Sequence, residues 1–428
     1  MAATPTPSLV QTELPRYLQP PAPSVFTLEI TPRCQHHCKG CGNVFAHSNR
    51  EMDEATWAMI LERLRPYIRA LRITGGEPTL HEQFEHIMAK VDGLGVPFVV
   101  FTNGNWIDPR ATIQILKHCN NLRGVLISLH GADAASYKEF TGVDAFAAVR
   151  DNIQLAAAAG LRVATNTLLL TTTVTRLAEI ARLSRSLGAS TISFGRYYGE
   201  PLPGLSFTTR ELKAALAHIA ALRHEDSRVI LSNCVPACFL PGEDFGERGC
   251  TSGFTHCTIG PEGEVRPCTH TSLKLGYIQD DDIEALWQHP LLDKWRRRIP
   301  PACLTCAALS RCRGGCRATA QQLGLPYDPL MTAPLAQLDR NPTVELAPQD
   351  RPQLSCSVEP TSYGYALNGT GQFVTLSHHS QRILEALDGC FTMEQLQEQF
   401  GPSAVQLVGS LIHRRLVAIA DPSEHGIA

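Results

Sequence analysis

Short apolar runs alternate with amphipathic helical patterns from Ser24 to about Arg196. The apolar runs are rich in β-branched and aromatic residues, which favours strands. The predicted strands are Val25–Ile30, Leu71–Thr74, Phe98–Thr102, Val125–Leu129, Arg162–Leu168 and Thr191–Arg196. The predicted helices between them are Asp53–Leu64, Gln83–Val91, Ala111–His118, Ala145–Ala159 and Val174–Leu187. Six strands with a helix after nearly every one indicate an α/β fold of parallel βα units.

Polar residues and glycines gather directly after three of the predicted strands. They form the segments Thr74-Gly75-Gly76-Glu77, Thr102-Asn103-Gly104 and Ser128-Leu129-His130-Gly131. In barrel-like folds the carboxyl ends of the strands carry the chemistry. We therefore expect a functional site at this edge.

The remaining chain divides by composition. Pro201–Gly249 is a connector with one helical pattern, a cysteine-rich stretch follows, and a proline-rich linker precedes a last patterned region. The pattern of that region predicts a hairpin over Tyr363–Leu376, turning at Asn368-Gly369, and three helices. These helices are Ser380–Leu387, Thr392–Phe400 and Ala404–Arg415, and the helical pattern of the connector is Thr209–Arg223. The expected units are an N-terminal extension (1–23), a barrel (24–200), a connector (201–249), a cysteine-rich domain (250–325), a linker (326–355) and a C-terminal module (356–428).

Composition narrows the function classes. The 428 residues are 43% hydrophobic and 18% charged, which is typical of globular domains, and the net charge of −3 argues against a nucleic-acid partner. Neither a signal-peptide pattern nor an apolar stretch of about 18 residues is evident, so we expect a cytoplasmic protein without a membrane partner. In a reducing compartment, 15 cysteines favour metal ligation over disulfides.

The first predicted strand is followed by Cys34-x3-Cys38-x2-Cys41. Three thiolates can bind three irons of a [4Fe–4S] cluster and leave the fourth iron open, whereas a structural zinc site needs four ligands. The triplet and its position resemble the motif of the radical S-adenosylmethionine (SAM) superfamily. The resemblance implies a partial (β/α)6 TIM barrel whose cluster, held by these cysteines, cleaves SAM.

Further motifs follow in the order of that family. The resemblance implies contacts to SAM from residues at successive strand ends, namely Gly75, Gly76, Glu77, Thr102, Asn103, Ser128 and, less clearly, Asn166. The chain departs from the family at Gly40, where many members carry an aromatic residue against the adenine.

The second cysteine-rich region resembles the SPASM domain of radical SAM peptide maturases. It reads Cys250-x12-Gly263-x4-Cys268, then Cys303-x2-Cys306-x5-Cys312-x3-Cys316. The resemblance implies two auxiliary [4Fe–4S] clusters. Cys250, Cys257, Cys268 and Cys316 would bind the first, and Cys303, Cys306 and Cys312 the second.

The fourth ligand of the second cluster is not evident in this pattern. The next cysteine is Cys356, beyond the linker, and the alternatives to it are an open iron or a ligand other than cysteine. Cys234 and Cys238 have ligand-like spacing, but Pro236 breaks a helix between them, which favours a structural role. A pair of zinc knuckles is the alternative for the whole region.

Two further features bear on the substrate. Tyr197 follows the sixth predicted strand, where core or rim packing is the simpler role and contact with a substrate radical the alternative. Residues Tyr365–Leu376 and the helical patterns after them resemble the PqqD-like peptide chaperone of pyrroloquinoline quinone biosynthesis, in which a peptide adds a strand to a sheet. A generic winged-helix module is the alternative.

Together the resemblances imply a radical SAM/SPASM enzyme. Its 5′-deoxyadenosyl radical would abstract hydrogen from a ribosomally synthesised precursor peptide, forming a crosslink, ring or other new bond, with electrons from a donor such as flavodoxin or ferredoxin. The alternatives are oxidation of a serine or cysteine on a protein, as in sulfatase maturases, and peptide epimerisation or methylation. A zinc-stabilised adaptor is the non-enzymatic alternative.

Overall fold

A computed structural model describes residues 22–44, 50–232, 234–240, 249–306, 309–331, 346–361, 364–369 and 372–420. The predicted N-terminal extension lies outside these residues except for its last two positions, and residues 332–345 of the predicted linker also lie outside them.

A sheet of parallel strands forms the centre of the molecule. All six predicted strands are confirmed with small shifts at their ends, and a seventh follows the connector helix. The strands are β1 Val25–Glu29, β2 Ala70–Thr74, β3 Phe98–Thr102, β4 Leu122–Ser128, β5 Val163–Leu169, β6 Thr191–Arg196 and β7 Val229–Leu231. Each pairs in parallel with the next, so their carboxyl ends share one edge.

Helices cross between the strands and cover the outer face. They are α1 Glu54–Leu64, α2 Phe84–Asp92, α3 Pro109–Lys117, α4 Ala134–Thr141, α5 Phe146–Ala158, α6 Thr171–Val174, α7 Leu177–Ser186 and α8 Thr209–Glu225. Side-chain caps fix several starts: Asp53 accepts a hydrogen bond from the Thr56 amide at 2.8 Å, and Thr208 and Glu211 cap α8 reciprocally. The apolar faces of these helices pack against the strands, which gives the partial barrel its core.

The cysteine-rich region extends the same sheet on its other side. Strand β8, His256–Ile259, pairs in parallel with β1, and the antiparallel strands β9, Glu264–Arg266, and β10, Gly276–Tyr277, follow. The order across the sheet is β10-β9-β8-β1-β2-β3-β4-β5-β6-β7. The predicted six-stranded partial barrel is thus widened by β7 and β8.

Short helices complete the cysteine-rich region. They are α9 Ile283–Trp287, α10 Pro290–Arg296, a 3-10 turn Pro301–Thr305, α11 Leu309–Cys312 and α12 Arg317–Gln322. A buried cation holds them together, because the Arg317 guanidinium donates to the carbonyls of Trp295 (2.9 Å), Arg296 (3.1 Å) and Arg313 (2.8 Å).

The C-terminal module has its own core of strands and helices. Its elements are β11 Pro352–Leu354, β12 Ser357–Thr361, β13 Gly364–Gly369, β14 Gln372–Leu376, α13 Gln381–Glu385, α14 Met393–Phe400, α15 Pro402–His413 and β15 Val417–Ile419. The predicted hairpin is present as β13 and β14, but its predicted turn is wrong, because Asn368 and Gly369 pair with Phe373 and Gln372 inside the strands. The connection comes two residues later, at 370–371, which like Tyr363 lies outside the described residues. The sequence pattern did not predict β12, which extends the hairpin to three strands.

The C-terminal module contacts the barrel and the cysteine-rich region. The Thr375 hydroxyl in β14 hydrogen-bonds the Ser24 hydroxyl before β1 at 3.0 Å, both residues being buried, and α15 contacts α11. In the described part of the chain, no helix combines the length and apolar character needed to cross a membrane.

Candidate active site

The loop with Cys34, Cys38 and Cys41 leaves the carboxyl end of β1. Helix α4 holds it in place, because the amides of His37 and Lys39 donate to the last carbonyls of that helix at 3.0 and 2.9 Å. The three thiols are close enough to influence one another. Burial and the charges of Cys41 and Cys34 raise the pKa of Cys38 to about 12. Iron binding would reverse this shift, since metal-bound thiols are deprotonated.

The Gly75-Gly76 segment at the end of β2 runs directly against this loop. The Gly76 amide donates to the Thr31 carbonyl, and the Glu77 amide to the Arg33 carbonyl, both at 2.7 Å. A Cβ atom on Gly76 would lie 2.2 Å from the Arg33 carbonyl oxygen, and Gly75 has a φ of +150°. Glycine is therefore required for this close approach.

Glu77 braces the turn after β3 from a fully buried position. Its carboxylate accepts hydrogen bonds from the Thr102 hydroxyl and the Asn103 amide, both at 2.7 Å. Burial raises the pKa of Glu77, and these hydrogen bonds oppose the rise. The Asn103 side chain in turn donates to the sulfur of Cys34 at 3.6 Å. Glu77 thus reaches the cysteine loop through Asn103.

Ser128, the last residue of β4, lies opposite Asn166 in the middle of β5. The side-chain oxygen of Asn166, Oδ1, accepts hydrogen bonds from the hydroxyls of Ser193 (2.9 Å) and Ser232 (3.0 Å). These two serines belong to the same polar rim, and the sequence analysis missed them because neither stands in a recognisable motif.

One cavity of about 980 Å³ joins these groups. It is lined by the three loop cysteines, Gly75, Gly76, Thr102, Asn103, Ser128 and Asn166, and also by Cys234, Cys250, Cys268, Cys316 and Arg414. Two buried polar atoms on its wall, the Tyr137 hydroxyl and His36 Nε2, have no hydrogen-bond partner among the described residues. The donor set of three thiols, glycine backbone and unpartnered polar atoms fits an iron–sulfur cluster with SAM beside it.

A second group of thiols lies further along this cavity. Cys234 shares hydrogen bonds with Cys250 and Cys316, and the charges of Cys250 and Cys316 act on Cys268. The hydrogen bond from Cys234 and the nearby Arg317 lower the pKa of Cys250 to about 5. We call Cys234, Cys250, Cys268 and Cys316 the inner cysteine group.

Cys257 was expected in this group, but the structure places it elsewhere. It lies in β8, where alternate residues point to opposite faces. His256 points into the barrel and bonds the Thr27 hydroxyl at 2.8 Å, so Cys257 points into the apolar core on the other face. Cys234, just beyond β7, lies where Cys257 was expected.

The remaining SPASM-like cysteines form an outer group. Burial, followed by the charges of Cys306, Cys312 and Cys238, raises the pKa of Cys303 to about 11. Cys356 lies apart from this group, in the C-terminal module, where it packs against that module's apolar core. Among the described residues, no group of three or more His, Cys, Asp or Glu side chains converges on a position where one metal ion could be bound.

Tyr197 packs behind the cysteine loop. Its ring occupies the space next to Gly40, where a Cβ atom would lie 2.5 Å from the ring. This packing explains the glycine at a position where many radical SAM proteins carry an aromatic residue. The following residue, Tyr198, lines the cavity, and its hydroxyl lies 3.6 Å from the sulfur of Cys234.

Comparison with known protein families agrees with this geometry. The family model of the radical SAM superfamily matches residues 28–217, and the SPASM model, an iron–sulfur cluster-binding domain, matches residues 250–312.

Individual relatives are more distant. A PqqA peptide cyclase of Streptomyces rochei is 25% identical over 77% of this chain and 97% of its own length. An AdoMet-dependent heme synthase of Oleidesulfovibrio alaskensis is 26% identical over 71% of this chain and 86% of its own. Among solved structures, Streptococcus suis SuiB bound to its precursor peptide SuiA shares the fold with a TM-score of 0.60, at 18% identity over 72% of this chain and 76% of SuiB.

Proposed function

We propose that this chain, a radical SAM enzyme with a SPASM domain, modifies a ribosomally synthesised peptide and forms a crosslink, ring or other new bond within it. The observation that carries the proposal is that one continuous cavity connects three parts of the molecule. It runs from the cysteine loop after β1 to the inner cysteine group and reaches Arg414 at the end of α15 in the C-terminal module.

The cofactors are SAM and [4Fe–4S] clusters, one that binds SAM and others in the SPASM domain. When bound, the first cluster supplies the electron that splits SAM into methionine and the 5′-deoxyadenosyl radical, which takes hydrogen from the substrate. In the proposal, Cys34, Cys38 and Cys41 hold this cluster and leave one iron open for SAM.

The neighbouring residues would bind and orient SAM. The backbone of Gly75-Gly76 and the polar groups of Thr102, Asn103, Ser128 and Asn166 line the cavity next to the cysteine loop. Glu77 lies behind them and bonds Thr102 and Asn103, so we assign it a positioning role. Holding the reactants to within about 1 Å matters, because such misplacement costs about 100-fold in rate.

The auxiliary cluster nearer the barrel is assigned to the inner cysteine group. Four thiols give it a full ligand set. Hydrogen bonds from Cys234, together with the charges of Arg317 and Arg196, lower the pKa values of Cys250 and Cys316, which favours the thiolate forms that iron requires. Cys303, Cys306 and Cys312 would hold the second auxiliary cluster.

The C-terminal module is assigned to peptide recognition. Its sheet has the order β12-β13-β14, and the outer strand β12 has mostly exposed or half-exposed side chains. An extended peptide can add to such an edge through main-chain hydrogen bonds. The contact between α15 and α11 places the module beside the cysteine-rich region. Electrons would come from a small donor protein such as flavodoxin or ferredoxin.

The relatives include one that acts on a peptide and one that makes heme. The C-terminal module favours the peptide, because main-chain pairing at a sheet edge suits an extended chain and offers nothing specific to a tetrapyrrole. Oxidation of a serine or cysteine on a folded protein is the other alternative. This alternative predicts a folded protein substrate rather than a short peptide.

The test begins with anaerobically reconstituted protein, SAM and dithionite. We expect deoxyadenosine to form, and a variant with Cys34, Cys38 and Cys41 all replaced by alanine to form none. A short peptide encoded beside the gene should then lose about 2 Da, as expected when a new bond replaces two hydrogens. If deoxyadenosine forms but the peptide mass does not change, the assignment of a peptide substrate is overturned. If no deoxyadenosine forms, the assignment as a radical SAM enzyme is overturned.

A further inference from the structure

The outer cysteine group has three members in sequence proximity, and a [4Fe–4S] cluster takes four ligands. Cys303 and Cys306 lie at the 3-10 turn Pro301–Thr305, where the Cys306 amide donates to the Cys303 carbonyl at 3.0 Å, and Cys312 ends α11. All three come from one short segment, so the fourth ligand must arrive from another part of the fold.

The segment after β7 approaches this group. The Ala237 amide donates a hydrogen bond to the sulfur of Cys312 at 3.5 Å. The next residue, Cys238, lies close enough that its charge acts on the thiols of both Cys303 and Cys312. The hydrogen bond of its neighbour Ala237 and these electrostatic interactions therefore place Cys238 beside the outer group.

The packing of this segment fixes the position of Cys238. Val235 and Phe239 on either side of it are buried in the core formed with α8 and β7. Pro236 has a φ of −54° and a ψ of 135°, an extended conformation, and the residues after it form the 3-10 turn Ala237–Phe239. With both flanks anchored, the thiol of Cys238 is held in place without depending on the metal.

The other end of the same segment carries Cys234, which belongs to the inner cysteine group. Four peptide units separate the two cysteines, so their Cα atoms can be at most about 14 Å apart. One short, anchored stretch of chain thus touches both groups of thiols.

We infer that Cys238 is the fourth cysteine ligand of the second auxiliary cluster, so that the segment Cys234–Cys238 supplies one ligand to each auxiliary cluster. This inference rests on the cluster assignments proposed above. It replaces Cys356, which lies in the apolar core of the C-terminal module near Gly369.

The test counts iron and sulfide rather than activity. In a background with Cys34, Cys38 and Cys41 replaced by alanine, about eight irons per chain should remain in the two auxiliary clusters. Adding Cys238→Ala should either remove about one iron, with the EPR signal of a three-iron cluster in oxidised samples, or remove about four irons through loss of the whole second cluster. The matched controls Cys356→Ala and Cys257→Ala should keep all of them.

A second variant guards against a simple folding defect. Cys238→Ser keeps the size of the side chain and offers an oxygen ligand, so it should keep more iron than Cys238→Ala and show an altered EPR spectrum of the reduced cluster. Unchanged iron and EPR spectra in both variants, or loss of iron in Cys356→Ala instead, would overturn the inference. Because SAM cleavage plays no part in these readouts, a native protein that holds about twelve irons and yet forms no deoxyadenosine would refute the proposed function and leave this ligand testable.

Discussion

At the scale of single residues, the carboxylate of Glu77 connects two strand ends to the cysteine loop. It accepts hydrogen bonds from Thr102 and Asn103, and Asn103 in turn contacts the sulfur of Cys34. The family resemblance implied a direct contact between Glu77 and SAM. The observed bonds favour an indirect role, because both carboxylate oxygens already have donors from the protein.

Replacing Glu77 by glutamine should weaken SAM binding. The amide nitrogen of glutamine would face either the Thr102 hydroxyl or the Asn103 amide, and a mismatched buried donor costs about 1–3 kcal/mol. We expect about tenfold weaker binding of SAM to the reconstituted protein in equilibrium dialysis, with little change in iron content. The control Glu82→Gln changes an exposed partner of Arg33 and should leave the affinity unchanged. Equal affinities of Glu77→Gln and the native protein would contradict the positioning role.

At the scale of elements, two buried ion pairs join the barrel to the cysteine-rich region. Arg196, the last residue of β6, pairs with Asp328 at 2.9 Å, and Asp328 also accepts the amide of Cys316 at 2.7 Å. On the other side of the sheet, Glu29 at the end of β1 pairs with Arg266 in β9. Both pairs therefore lie next to segments that carry cysteines proposed as cluster ligands.

Asp328→Asn should destabilise the protein strongly. The side chains of Asp328 and Arg196 are 0% and 4% exposed, and removing one partner of a buried pair leaves an uncompensated charge, at a cost of about 3–5 kcal/mol. We expect a clearly lower thermal unfolding midpoint. The control Asp293→Asn breaks an exposed pair with Arg297, for which at most about 1 kcal/mol is expected. Similar midpoints for the two variants would show that the buried pair does not hold the regions together.

The Glu29 pair predicts a pH dependence of stability. Burial, partly opposed by Arg266, raises the pKa of Glu29 from 4.5 to about 7, and Glu264 adds to the rise. The folded state therefore binds this proton more tightly than the unfolded state. The stabilisation is complete below about pH 4.5 and is lost as the pH rises toward 7.

This dependence can be measured by comparison with Glu29→Gln, which cannot titrate. Between pH 4.5 and 7, the free energy of unfolding of the native protein should fall relative to that of the variant, by at most about 3 kcal/mol. Denaturant unfolding at several pH values provides the measurement. The exposed Glu85→Gln should run parallel to the native protein. A constant difference between the native protein and Glu29→Gln across this range would refute the shifted pKa.

At the scale of the whole molecule, the sequence predicted the rim motifs because the ends of parallel strands must share one edge of a sheet. It did not predict Cys234, because β7 has only three residues, Val229–Leu231, inside a stretch of mixed composition. The resemblance to the SPASM domain implied Cys257, yet a resemblance in sequence does not show which face of a strand a residue occupies. The register of β8 decides that, and it depends on pairing with a strand more than 200 residues earlier.

In the C-terminal module, the edge strand β12 was also not predicted from the sequence. The module's hairpin was predicted from a turn signal, whereas β12 was not, because its sequence, Ser-Val-Glu-Pro-Thr, contains a proline. Proline has no backbone N–H to donate. It is tolerated in an edge strand at a position where that N–H would face away from the neighbouring strand. Pro360 has no amide to donate to β13, and the amides of successive strand residues point to opposite sides. From the register of β12 and β13 we therefore infer that Ser357 and Glu359 donate to β13 and that the amide of Val358 faces outward.

Val358→Pro should therefore separate peptide binding from SAM chemistry. The substitution removes the outward-facing amide of β12 and leaves the hydrogen bonds between β12 and β13 intact. A peptide that adds to this edge would lose one main-chain hydrogen bond and would clash with the proline ring. We expect at least about tenfold weaker binding of a fluorescent precursor peptide, measured by anisotropy, while deoxyadenosine formation without peptide stays unchanged. The matched control Glu359→Ala keeps every backbone donor and should bind normally. Normal binding by Val358→Pro would remove β12 as the docking edge, and because β14 contacts the barrel through Thr375 and Ser24, the peptide would then have to be held by the helices or the cavity itself.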